Sequence, residues 1–328
     1  MYKRFFGLTH NPFELTPDPT FFVSTKRHNE ALAALSYGVR WHRGFVVVTG
    51  EVGTGKTLLL RCLLRMLKES RDISYAYLFN SRLSAIEFLQ YILSDFGLPA
   101  FGKNKAELLL DFSQFLLSRG SKRLTTVLIV DEAHHLSEDL LEEIRLLSNL
   151  ETTDDKLLQI ILVGQPELDE KLDSVRLRQL KQRIALRAQL GPLGFKETRE
   201  YIGERLRIAG ADVQREPIFS DEAIVTVHHH SKGLPRLINT ICENALIAAY
   251  AKQSITVTPD VIDDLAREFR VDLTTPEDGG IEKRCEAEIG RAAEVLLEFL
   301  SHLSNPAARE SDLNAAVAAE SRKHEPYI

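Results

Sequence analysis

Gly50-Glu51-Val52-Gly53-Thr54-Gly55-Lys56-Thr57 decides how the rest of this chain reads. The apolar run Phe45-Val46-Val47-Val48-Thr49 before it predicts a buried strand. Leu58 to Arg65 after it predicts a helix. A strand, G-x-x-x-x-G-K-[ST] and a helix in that order form the context that makes a phosphate-cradling loop specific. Its glycines let successive backbone N–H groups curl round an anion without Cβ clashes, and the helix turns its positive end to the same spot. Gly50, Glu51, Val52, Gly53, Thr54, Gly55, Lys56, Thr57 and Leu58 are therefore the expected phosphate contacts. Within that set Lys56 reaches the β- and γ-phosphates and the Thr57 hydroxyl ligates Mg²⁺. The ligand class is a nucleoside triphosphate.

Working outward, three more apolar runs predict strands: Ile73 to Phe79, Leu124 to Val130 and Leu157 to Val163. Ile184 to Leu190 reads as a fifth. Helical stretches separate them: 84–95, 105–118, and one capped by Ser137 that runs to about Asn149. Alternating strands and helices predict an α/β sandwich with a parallel five-stranded sheet. The third strand ends in Asp131-Glu132. An acidic pair at a strand end, in a chain with a phosphate loop, supplies the other half of the site. Asp131 would hold Mg²⁺ through its water shell, and Glu132 would polarise the attacking water. Asp131-Glu132-Ala133-His134 also spells a helicase signature. Such helicases carry two motor cores, and the roughly 190 residues after it read as helical, so that architecture is excluded.

The chain has 328 residues, 44% hydrophobic and 27% charged, with a net charge of −6. That is globular material with length for two domains and a tail. No apolar run reaches the roughly 18–20 residues of a membrane helix. Met1 to Phe6 lacks the apolar core of a secretory signal, so the cytoplasm is the expected compartment. Cys62, Cys242 and Cys285 have no metal-ligand spacing and read as buried thiols. His228, His229 and His230 are consecutive and diverge on a helix, which speaks against one shared metal.

Residues 1–43 read as a segment that lies across the main domain, anchored by Phe5, Phe6, Phe13, Phe21 and Phe22, with a first helix from His28 to Val39. Phe5-Phe6-Gly7-Leu8, Asn11-Pro12-Phe13 and Pro17-Asp18-Pro19, taken with the phosphate loop, resemble the ExeA/GspA-type ATPases. These belong to the AAA+ class and are similar to ATPases that regulate some transposition systems. The resemblance covers roughly residues 1–270. It implies ATP as the nucleotide, a P-loop core over 44–193 and a helical lid over 194–270. It places Gln165 at the position of a polar residue that contacts the γ-phosphate and the attacking water. It makes Arg183, in the Gln-Arg-Ile step, the candidate arginine finger for a neighbouring subunit, with Arg178 and Arg187 as competitors. Gly233-Leu234-Pro235-Arg236 resembles the second sensor, whose arginine, here Arg236, reaches the γ-phosphate from the lid.

The resemblance also implies a homo-oligomer, ring or filament, that couples ATP state to recruitment of a protein client. The client would belong to a secretion, cell-envelope or polysaccharide-export system, which would bring the protein to the inner membrane through that partner. The alternative is an ATP-gated DNA-binding regulator of a transposase-like partner, motivated by the basic run Arg176 to Arg187. Beyond Val271, Thr274 to Gly280 reads as a linker. Ile281, Cys285, Ile289, Ala292, Leu296, Phe299 and Leu303 then form an amphipathic stripe, and residues 307–321 a second helical stretch, in a tail over 271–328. ExeA/GspA-type secretion proteins continue into a membrane helix and a peptidoglycan-binding part, which this sequence does not contain.

Overall fold

Five parallel strands carry the site: β1 (Phe45–Gly50), β2 (Ile73–Leu78), β3 (Thr125–Val130), β4 (Leu158–Gly164) and β5 (Ile184–Leu190). They lie in the order β2-β3-β4-β1-β5 in a computed structural model that describes residues 1–79, 83–152, 155–212 and 216–268. All five are predicted from the apolar runs, within a residue or so at each end. β4 inserts between β1 and β3, and the register pairs Thr49 with Gly164 and Val130 with Leu162. The carboxyl ends of β1, β4 and β3 therefore stand side by side, where ligands settle in open parallel sheets.

Period-2 alternation makes this a three-layer fold. Phe45 and Val47 of β1, Leu128 and Val130 of β3, and Ile160 and Leu162 of β4 face one cluster. Val46, Val48, Val127, Ile129, Ile161 and Val163 face the other. Helices cover both faces, as a sheet buried on both sides requires. α1 (Tyr2–Phe5) precedes α2 (Lys26–Arg40) and α3 (Lys56–Glu69), and these last two close the second cluster through Leu35, Leu59 and Leu63. α4 (Ala85–Asp95), α5 (Lys105–Gly120) and α6 (Glu138–Leu147) close the first with Phe88, Phe112 and Leu141. Ser84 and Asn104 form capping boxes, and Ser137 caps α6 by accepting from the Leu140 N–H.

Between β4 and β5 run two short helices that no periodicity announces, α7 (Glu167–Leu172) and α8 (Arg178–Arg183). The lid comes next as α9 (Phe195–Ile208), α10 (Asp221–Ser231), α11 (Pro235–Ala251) and α12 (Pro259–Glu268). Core and lid belong to one compact unit, Met1–Asp272. The expected linker, amphipathic stripe, second helical stretch and Cys285, in residues 271–328, lie outside the described residues.

The N-terminal aromatic residues lie elsewhere than expected. Tyr2, Phe6, Phe13 and Phe21 sit in the cluster built by α9–α12, where the Phe13 ring meets Phe219 edge-on at 5.9 Å. Phe22 alone of the expected anchors packs on the sheet's cluster. The reason is polar as well as apolar. Tyr2 donates to Glu243 at 2.7 Å, the Thr9 N–H donates to the Ala209 carbonyl at 2.8 Å, and the buried Arg205 donates through Nε to the Pro12 carbonyl at 2.5 Å. Residues 1–21 thus complete the lid's interior, and α2 then carries the chain back to the sheet.

The segment that leads from β5 into the lid meets the lid backbone to backbone at Gly233, which has φ +75° and whose carbonyl accepts from the Leu193 N–H at 2.8 Å. A Cβ there would fall 2.0 Å from the Leu193 carbonyl oxygen. Gly233→Ala is expected to destabilise the protein by about 2–3 kcal/mol, since left-handed geometry and a backbone clash combine. The denaturant midpoint measures it; an unchanged midpoint would show that the junction yields without strain.

Candidate functional site

β1 ends at Gly50, and the loop after it has its glycines at φ +84° (Gly53) and +99° (Gly55), the second being the N-cap of α3. This left-handed pair is what the glycine spacing requires. Lys56 is the first residue of α3 and is buried; its ammonium donates to the Gly50 carbonyl at 2.6 Å and to that of Glu51 at 3.0 Å. Burial lowers its pKa, while Glu132, Asp131, Glu51 and Glu167 oppose that shift. A cation held by loop carbonyls at the mouth of a helix N-terminus fits a phosphate. Thr57 is exposed one position on and lines the same cavity.

β3 delivers the acidic pair. Asp131 is buried, its Oδ2 accepting from the Tyr77 hydroxyl and its Oδ1 from the Glu132 N–H, both at 2.9 Å. Burial raises the Asp131 pKa, and these two donors pull it back. Tyr77, on neighbouring β2, is a positioning group that the strand pattern does not reveal; burial pushes its own hydroxyl pKa up.

Glu132 has φ 51°, an uncommon backbone state for a residue with a side chain, of the kind that clusters at functional sites. Its buried Oε2 has no hydrogen-bond partner. His134 Nδ1 stands 3.4 Å from that oxygen but accepts the Gln165 N–H at 3.3 Å. A ring nitrogen that accepts cannot also donate, so His134 carries its proton on Nε2 and leaves Glu132 free. Burial lowers the His134 pKa, with His135 adding to the effect, which favours this neutral form. Ligand atoms of Glu132, His134 and His135 lie within 4.8 Å of one another. The Gln165 contact makes His134 an orienting group between the ends of β3 and β4.

The phosphate loop and Glu132 border a cavity of about 370 Å³, within the usual range for a ligand site. Lys56, Thr57, Glu132, Gln165 and Arg236 line it. Arg236 lies in the first turn of α11, and its N–H donates to the Gly53 carbonyl at 3.1 Å, so the lid touches the phosphate loop directly. The far wall holds residues that sequence reasoning missed: Leu15 and Pro17 from the N-terminal segment, and Tyr201, Arg205 and Asn239 from the lid. Tyr201 donates to Asn239 at 2.9 Å and accepts from Arg205 at 2.8 Å. Nothing in an amphipathic helix pattern separates such residues from ordinary lid packing.

Arg183 is not in this cavity. Its Nη1 donates to Ser148 Oγ at 2.6 Å and to the Arg145 carbonyl at 3.3 Å, across the C-terminal end of α6. Arg187 pairs with Asp169 at 3.0 Å, whereas Arg178 is exposed and has no partner among the described residues. His228, His229 and His230 diverge: His228 bonds Thr198, His230 bonds Asp263, and His229 meets the His230 ring edge-on. Among the described residues, no helix is long and apolar enough to cross a membrane.

Comparison with known proteins agrees with this geometry. Residues 39–172 match the model of an AAA domain. Over 255 residues the chain is 46% identical to general secretion pathway protein A of Aeromonas hydrophila, a stretch that covers 77% of this chain and 46% of that protein. The chain thus spans about half the length of this curated relative. Among solved structures, the Aeropyrum pernix ORC2 protein in ADPNP–ADP complexes superposes with a TM-score of 0.57 at 16% identity, over 77% of this chain and 72% of that one. Cdc6p from Pyrobaculum aerophilum gives 0.58 at 18% identity, over 76% and 70%. At these identities the two structures speak for the fold alone. The fold, the loop and the 46% identity over 77% of this chain together support an AAA+ ATPase of the ExeA/GspA type.

Proposed function

We propose that this protein binds ATP with Mg²⁺ at the ends of β1, β3 and β4, hydrolyses it, and uses the nucleotide state to control assembly and partner recruitment. The observation that carries the reading is the convergence of Lys56, Thr57, Glu132, Gln165 and Arg236 on one cavity, with Asp131 buried next to Glu132 in the chain and bonded to its N–H. The residues fit the metal: a hydroxyl at Thr57 and a carboxylate at Asp131 whose oxygens are already aimed by two donors. Mg²⁺, when bound, neutralises charge on the terminal phosphates. Glu132 holds an unpaired oxygen for the attacking water, Gln165 offers it an amide, and Lys56 and Arg236 take the γ-phosphate from core and lid.

The identity to general secretion pathway protein A favours a client in a secretion, cell-envelope or polysaccharide-export system, at the cytoplasmic face of the inner membrane. Support for the DNA-binding alternative is weaker than the raw count of cations implies. Arg176 pairs with Glu138 and Asp139, Lys181 with Asp173 and Arg187 with Asp169, so most of the basic run is neutralised locally.

A finger supplied by a neighbouring subunit fits the location of α8 away from its own cavity, with Arg183 as first candidate and Arg178 as second. The test is ATP turnover against protein concentration. Specific activity should rise with concentration and fall about 10³-fold or more in Arg183→Ala. Mixing Arg183→Ala with Lys56→Ala should restore part of it, since one supplies intact sites and the other intact fingers. A flat profile with no restoration counts against a shared site; restoration by Arg178→Ala alone moves the role to Arg178.

A further inference from the structure

The back of the phosphate loop is closed by a residue from far upstream. His28, in the first turn of α2, is buried, and its Nε2 lies 2.9 Å from the Thr54 carbonyl oxygen. Its Nδ1 lies 2.7 Å from Thr25 Oγ1, and the same hydroxyl oxygen, the N-cap of α2, takes the His28 N–H. A carbonyl only accepts, so Nε2 carries the proton; burial lowers the His28 pKa and favours the neutral ring, in which Nδ1 accepts from Thr25. The helix cap therefore sets the tautomer, and the tautomer lets His28 hold the loop. The ring also sits where any side chain on Gly55 would have to go, 2.9 Å from the position of a Cβ.

A peptide unit is rigid and trans, so its carbonyl and its N–H point in opposite directions. Fixing the Thr54 carbonyl toward His28 fixes the Gly55 N–H toward the opposite, concave side of the loop, where the cavity lies. Loop amides grip an anion only when they are already turned to it. Gly55, at φ +99°, has no side chain to hold that orientation itself.

We propose that His28 is a positioning residue for triphosphate binding, which aims the Gly55 amide at the phosphates by hydrogen-bonding the carbonyl on the other side of the same peptide. This rests on the phosphate-binding role of the loop and adds to it a specific device outside the motif. The ring touches no phosphate; its effect is exerted through the Thr54–Gly55 peptide alone.

The test is calorimetric titration of the full chain with Mg-ATP and Mg-ADP. His28→Leu fills the space without a donor and should weaken both nucleotides about tenfold or more. His28→Gln puts an amide N–H near the reach of Nε2 and should stay within about threefold of the original protein. If the Leu variant binds as the original does, or the Gln variant loses as much as the Leu variant, the hydrogen bond is not what orients the loop and the proposal falls. Melting temperatures of the two variants separate this from packing, since a packing role would track side-chain volume rather than the donor. Lys56→Ala runs alongside: loss there with no loss in His28→Leu overturns this inference and leaves the triphosphate site standing.

Discussion

Glu132→Gln should retain Mg-ATP and turn it over at least about 10²-fold more slowly than the original protein. A positioned general base contributes typically about 10²–10⁴-fold, and the amide keeps the shape while losing the charge. Glu132 is suited to that role by what it lacks: a buried oxygen with no donor, beside a histidine whose near nitrogen is engaged by Gln165. Because no hydrogen bond within the described protein depends on that oxygen, the substitution should leave stability nearly unchanged. Single-turnover hydrolysis with radiolabelled ATP, run beside equilibrium binding, reads both halves of the expectation. Normal hydrolysis in the Gln variant would move the water-activating role elsewhere, and lost binding would make Glu132 a ligand contact instead.

Replacing Lys56 by alanine should weaken the retention of Mg-ATP severely. The ammonium is a buried cation with two carbonyl partners, and the acids that face it offset the cost of its burial. A triphosphate replaces those weak partners with full negative charge, and charge-assisted hydrogen bonds are roughly twice as strong as neutral ones. Removing the cation leaves Asp131 and Glu132 near the phosphates without a counter-charge. Repulsion and lost attraction therefore act together, and an affinity loss of about 10²-fold or more is expected. Equilibrium dialysis against Mg-ATP is sufficient. Retention equal to that of the original protein would end the reading of this loop as the phosphate site.

The sheet could be read from sequence because each of its strands is a short apolar run bounded by a helix signal, and Val46-Val47-Val48 needs burial on both faces. The loop could be read because its chemistry is local: glycines, lysine and threonine at fixed spacing act through backbone they themselves shape. α7 and α8 escaped because six-residue helices present barely two turns, too few for a periodic face. His28 and Tyr77 escaped for a different reason. Each acts across a gap in sequence, 26 residues to Thr54 and 54 to Asp131, and only the fold turns such separations into contacts. Arg183 shows the same limit, since its bonds to the end of α6 depend on how two short elements cross. The aromatic residues of 1–21 were legible as anchors but not their destination, because an apolar ring does not name the cluster that receives it.

The same N-terminal segment has a consequence for biosynthesis. The groups that seal Phe13 and Pro12 into place, Phe219 and Arg205, leave the ribosome long after them; Arg205 comes 193 residues after Pro12. At about 5–20 residues per second the delay is roughly 10–40 s. Through that interval, while the strands of the sheet are still being made, the nascent chain carries an unsheltered aromatic segment, an attractive target for holdase chaperones until α9–α12 emerge to enclose it.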